Sequence, residues 1–89
     1  MAKYKVLIRK SAASELARIP KEDLRRIVEK ILSLAEEPRS QGCEKLSAQE
    51  RYRIRQGDYR VVYSVDDASR VVEIVKIGHR SEVYRGSRR

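Results

Sequence analysis

The sequence holds one cysteine, Cys43, and one histidine, His79. A lone thiol excludes a disulfide within the chain, and with a single imidazole beside it no Cys/His zinc cluster can be assembled. No cofactor is expected, and Cys43 reads as a small apolar side chain. No apolar run approaches the roughly 20 residues that span a bilayer, and the N-terminus lacks the apolar stretch and small-residue cleavage site of a secretory signal. The expected location is the cytoplasm, with no membrane partner. Low-complexity tracts, internal repeats and linkers long enough to divide the chain are missing too, which leaves residues 1–89 as one domain. A chain this short buries only about 60% of its unfolded surface, so its core is thin. Negative charge is also scarce: 13 acidic residues face 21 lysines and arginines, a net charge of +8. Such a balance points to an anionic partner, nucleic acid or an acidic protein before a membrane surface.

What is present is strongly patterned. "YKVLIR" (4–9) is a β-rich run that predicts a first strand. Ser11 then offers an N-cap, and "AASELARI" predicts a short helix with Leu16 and Ile19 facing a core. Pro20 ends that helix and opens the next, since its fixed φ suits a first helical turn whose N–H groups have no intrahelical acceptor. The second helix, "KEDLRRIVEKILSLAEE" (21–37), gathers Leu24, Ile27, Val28, Ile31, Leu32, Leu34 and Ala35 in one arc at 100° per residue. Arg25, Arg26, Glu29, Lys30 and Ser33 fall opposite. Glu22 with Arg26 and Arg25 with Glu29 are spaced i,i+4, so this side reads as a solvated face laced by ion pairs. Pro38 marks its end.

From residue 51 the period changes to two. In "RYRIRQGDYRVVY", Gly57 and Asp58 fit a two-residue turn of type II′, glycine taking the first central position where φ must be positive. That turn fixes a register: Gln56 opposite Tyr59, Arg55 opposite Arg60, Ile54 opposite Val61, Arg53 opposite Val62, Tyr52 opposite Tyr63 and Arg51 opposite Ser64. Tyr52, Ile54, Tyr59, Val61, Tyr63 and Val65 then share a face fit to lie under the helices. The other face collects Arg51, Arg53, Arg55 and Arg60. "DDAS" (66–69) turns the chain again, and "RVVEIVKI" supplies a strand apolar on both faces, hence interior to the sheet. The expected fold is α+β: an N-terminal strand, a helical hairpin, and a three-stranded antiparallel meander packed on the helices. Four guanidinium groups on one open face repel one another, an arrangement that a polyanion would relieve. A solvated edge that discourages aggregation is the plainer alternative.

The order of elements, together with "GDYRVVY" and "IGHRSEVY", resembles the RelE/ParE superfamily of type II toxins, over nearly the whole chain. An arginine followed four residues later by a tyrosine in the second block is more similar to the RelE branch, whose members cut messenger RNA in the ribosomal A site. The ParE branch, which poisons DNA gyrase without cleavage, is the alternative. The resemblance implies metal-independent RNA cleavage, in which the ribose 2′-oxygen attacks the adjacent phosphate and expels the 5′-oxygen. It implies Arg60 and Arg80 as phosphate-binding arginines and Tyr84 as the residue that orients or stacks on the substrate. Arg51 and Arg53 fall where well-known members carry lysines, and Arg55 matches a further basic position. Arginine stays protonated at any relevant pH, so these positions suit charge stabilisation better than proton abstraction. The proton acceptor is left open between His79, Glu44 and water, and Lys45 is a further candidate for contact with RNA. The implied partners are the ribosome with its A-site message and a RelB-like antitoxin whose acidic, partly disordered segment folds on this basic domain.

Overall fold

The structure of the chain, a computed structural model, describes residues 3–39, 42–46 and 51–79. Strand β1 (Lys5–Ile8) leads into helices α1 (Lys10–Ala17) and α2 (Lys21–Ser33), followed by β2 (Glu44–Leu46), β3 (Arg51–Gln56), β4 (Tyr59–Asp66) and β5 (Val71–His79). The strands form one sheet in the order β1-β5-β4-β3-β2, with β1 parallel to β5 and every other pair antiparallel. β5 is interior, as its two-sided apolar composition requires. The sheet has one strand more than expected. β2 is three residues long, too short for any period to show, and it pairs with β3 from Glu44 opposite Arg53 to Leu46 opposite Arg51.

The β3–β4 register is the one dictated by the turn, from Gln56 opposite Tyr59 to Arg51 opposite Ser64. Gly57 has φ 62°, and Arg70 is the one non-glycine described residue at positive φ, so Asp58 takes the ordinary backbone region of a type II′ turn. One face of the hairpin is accordingly dry. Tyr52, Ile54, Val61, Tyr63 and Val65 are buried, and they cluster with Val72, Ile74 and Ile77 of β5 and with Ala12, Ile19, Ile27, Ile31 and Leu34 from the helical layer. The Tyr63 hydroxyl donates to the carbonyl of Pro38 at 2.6 Å, and its ring stacks on Tyr52 with centroids 5.7 Å apart.

The helices depart from expectation at three places. Helix α1 begins at Lys10 with Arg9, not Ser11, at the N-cap, and no side chain caps it. The Arg9 N–H donates to the Ile74 carbonyl at 3.0 Å, so the strand's pairing runs straight into the helix and leaves no cap position for Ser11. Helix α2 stops at Ser33 rather than running to Glu37. Its continuation tightens into i→i−3 bonds, Leu34 to Ile31, Ala35 to Leu32 and Glu36 to Ser33, ahead of Pro38, which has no N–H to give. The buried stripe is also narrower than the apolar arc: Val28 and Leu32 are 37% and 59% exposed. Each lies 100° round the helix from Ile27 or Ile31 and points past the sheet.

Candidate phosphate-binding face and its flanks

Residues directly opposite one another on paired strands share a face. Following the register outward from β3 therefore lists what the solvent side of the sheet presents. One row runs Glu44, Arg53, Val62, Lys76 across β2, β3, β4 and β5, and the next runs Arg55, Arg60, Gly78. Arg51 sits opposite Ser64 and, through it, Glu73. Arg51, Arg53, Arg55 and Arg60 are thus assembled on one face by pairing alone. Gly78, opposite Arg60, contributes no side chain to the row.

Glu44 stands inside this cationic set. Its Oε1 accepts from Arg53 Nε at 3.0 Å and from Arg53 Nη2 at 2.6 Å. Those hydrogen bonds, then the charge of Arg53 and more weakly those of Arg55 and Arg60, hold the carboxyl below its usual range. Glu44 is half exposed, its side chain 55% accessible against 27% for Arg53. The pair is thus an internal counterion on an open surface, and water screens it. Glu73 is engaged elsewhere, with Arg9 Nε at 3.3 Å.

The structure separates the other candidates. His79 lies opposite Tyr59, on the helix side of the sheet, with its ring edge-on to that of Tyr59 at 5.0 Å. It lines a cavity of about 150 Å³ with Glu15, Arg18, Ile19, Tyr59 and Ile77, away from the arginine rows. Lys45 lies opposite Tyr52 and so belongs to the helix side as well, at the outer edge. Arg80 and Tyr84 lie outside the described residues.

Two features escape sequence reasoning. Lys76 joins the basic face because a bulge interrupts the β4–β5 ladder between Val62 and Tyr63, which resets the alternation along β5. Counting by twos from either end of that strand gives conflicting faces. The second feature is a clamp: Arg39 donates to both oxygens of Asp67 at 3.1 and 2.8 Å and to the Tyr52 hydroxyl at 2.9 Å, while the Tyr4 hydroxyl donates to Asp67 at 2.7 Å. Arg39 first, then Tyr4, hold the Asp67 carboxyl below its usual range. The clamp pins the segment that follows α2 to β3 and to the β4–β5 turn. Its members are 63 residues apart at the extreme, a separation with no local signature.

An alternating basic strand beside a second arginine-bearing strand, with a carboxylate set among them, is able to bind a phosphodiester and to accept a proton next to it. Known proteins with this architecture give that chemistry a setting. The model of the ParE toxin of type II toxin-antitoxin systems matches residues 6–84. Toxin RelE of Mycobacterium tuberculosis is 38% identical over 84 residues, covering 92% of this chain and 87% of its own. Among solved structures, the archaeal RelE–RelB complex from Pyrococcus horikoshii OT3 superposes with a TM-score of 0.77 at 33% identity, over 88% of this chain and 96% of that one. The toxin-antitoxin complex RelBE2 from Mycobacterium tuberculosis gives 0.78 at 28% identity, over 88% and 99%. No helix among the described residues is long and apolar enough to cross a membrane. The chain belongs to the ParE toxin family of type II toxin-antitoxin systems, with RelE toxins among its relatives.

Proposed function

We propose that this toxin is a ribosome-dependent endoribonuclease that cuts messenger RNA in the A site without a metal ion. The observation that carries the reading is the arginine face with Glu44 at its outer edge, paired to Arg53, considered together with the similarity to RelE toxins. In the proposed reaction the 2′-oxygen attacks the neighbouring phosphorus, an O2′–P bond forms and the P–O5′ bond breaks. The 2′-proton leaves to an acceptor, the 5′-oxygen takes up a proton, and a cyclic phosphate remains. Arg60, Arg53 and Arg51 neutralise the charge that grows on the phosphorane, Arg55 holds a flanking phosphate, and Lys76 extends the same field. Arg80 and Tyr84 keep the roles that the resemblance implies, a second phosphate contact and a platform for the substrate.

Of the acceptors considered, Glu44 is the one beside the arginines, while His79 packs on Tyr59 at the other face. A carboxyl held low is a weak base, but it is ionised at every relevant pH and sits where the 2′-proton would be released. For a partner we propose a RelB-like antitoxin with an acidic segment that covers the arginine face, because two of the solved relatives are toxin-antitoxin complexes.

The second reading, a gyrase poison that acts by binding, is favoured by the match to the ParE family model. Purified protein added to a translating system, with primer extension on the message, and in parallel to a gyrase supercoiling assay, separates the two. Message cut at discrete A-site codons with gyrase unaffected is the expected result. Intact message with inhibited gyrase overturns it.

A further inference from the structure

β2 covers β3 only from Arg51 to Arg53, so beyond that point the outer edge of β3 has no neighbouring strand among the described residues. A two-residue hairpin makes Gln56 with Tyr59, and Ile54 with Val61, the hydrogen-bonded pairs. The N–H and C=O of Arg55 therefore point away from β4, side by side, at this open edge. Beside this edge lies a cleft of about 300 Å³ lined by Lys30, Gly42, Glu44, Ile54 and Arg55. Gly42 has φ 97°, and the position its Cβ would take is open space. That volume is at the small end of ligand pockets, which run from about 300 to 1,000 Å³. The cleft borders a donor, an acceptor and an ammonium group.

We infer that this cleft is a nucleobase subsite, and that it takes the base of the nucleotide whose 2′-oxygen attacks. The inference rests on the proposed nuclease reading and adds a base-reading element to it. Glu44 and Arg55 border both the arginine face and the cleft, so a ribose with its 2′-oxygen at Glu44 stands at the cleft's mouth. The base hangs from the carbon next to the one bearing that oxygen, and the nearest recess is this one. Every nucleobase carries a donor and an acceptor side by side on its pairing edge, the complement of the outward-facing N–H and C=O of one strand residue. Lys30 adds a charged donor for a ring nitrogen or carbonyl. Single-stranded RNA is read in this way, by bases splayed from the stack and bonded at their edges.

The test uses a short RNA in which the attacking nucleotide lacks its 2′-hydroxyl, so that it binds uncut, and a second version in which that nucleotide is also abasic. Amide resonances of the full chain are followed during titration. The natural-base RNA should shift Gly42, Ile54 and Arg55 together with the arginine face, whereas the abasic RNA should shift the arginine face alone. Lys30→Ala should weaken the natural-base RNA by about tenfold, the scale of one hydrogen bond to a charged group, and leave the abasic one unchanged. Equal weakening of both RNAs would make Lys30 a phosphate contact and overturn the subsite, as would a cleft that answers to neither RNA while the arginine face answers to both. Cleft shifts produced only by an antitoxin segment would assign the edge to a partner strand instead and likewise overturn it. If neither RNA shifts any arginine-face amide, the subsite falls, while the nuclease reading stands or falls by primer extension in the translating system.

Discussion

Ile31 and Leu32 are adjacent on α2 and lose comparable hydrocarbon on truncation to alanine, yet the structure predicts opposite outcomes. Ile31 is 3% exposed and belongs to the core cluster, while Leu32 is 59% exposed. Ile31→Ala deletes three carbons from a packed site, worth about 0.8 kcal/mol each in transfer, plus the cavity left where the sheet does not close in. A total loss of about 2 to 5 kcal/mol follows. For a domain of this size, with about 0.05 to 0.15 kcal/mol of stability per residue, that is a large share of the whole. The melting temperature should drop by about 10 °C or more, at about 4 to 8 °C per kcal/mol. Leu32→Ala removes contacts mainly with water and gains slightly in helix propensity, so it should stay within about 0.5 kcal/mol of the parent. Urea denaturation followed by circular dichroism reads both, with equal slopes required for the comparison. Equal losses for the two variants would refute the packing stripe and, with it, the placement of α2 on the sheet.

The functional predictions follow from the site. Arg60→Ala should lower the single-turnover cleavage rate on ribosome-bound message by roughly 10²-fold or more and change ribosome binding much less, because the other arginines and lysines still hold phosphates; unchanged cleavage would remove Arg60 from the site. The same measurement on Arg80→Ala, and on Tyr84→Ala against Tyr84→Phe, tests the residues beyond β5 and tells a stacking ring from a working hydroxyl. With Glu44 as acceptor, the rate falls only as pH drops through a carboxyl lowered by Arg53, so the profile should be flat from about pH 5 to 7, whereas an acid limb within that span would remove Glu44 from the acceptor's place. Antitoxin affinity should weaken as salt rises, and tight binding indifferent to ionic strength would count against coverage of the arginine face.

The sequence is most legible where local chemistry decides geometry. One glycine at 57 selects the turn, the turn selects the register, and the register alone brings Arg51, Arg53, Arg55 and Arg60 together. Legibility fades where the decision is made at a distance. β2 exists because the edge of β3 attracts a partner, and nothing in "EKL" announces it. The same edge decides the fate of Glu44, whose position opposite Arg53 converts an unremarkable surface carboxylate into a member of the cationic face. His79 shows the converse. In sequence it is a candidate proton acceptor, but strand alternation turns a side chain at each step, and pairing with Tyr59 sends the imidazole to the helix side.

The arginine spacing on β3 also bears on how the toxin remains folded when no polyanion is bound. Like charges at i, i+2 and i+4 of one strand, with another directly across the ladder at Arg60, raise the energy of an unoccupied face. Three features limit that cost. The face is open, so water and salt screen the cations. Arg53, the central one, has a carboxylate at 2.6 Å. The apolar residues between the arginines, Tyr52 and Ile54, are fully committed to the core and anchor the strand whatever its other face carries. A phosphate entering the face competes with Glu44 for Arg53 while leaving that anchorage untouched. Replacing Glu44 by glutamine should therefore strengthen RNA binding even as it slows cleavage. Weaker binding together with unchanged cleavage would show that the carboxylate is neither a counterion in competition with phosphate nor a proton acceptor.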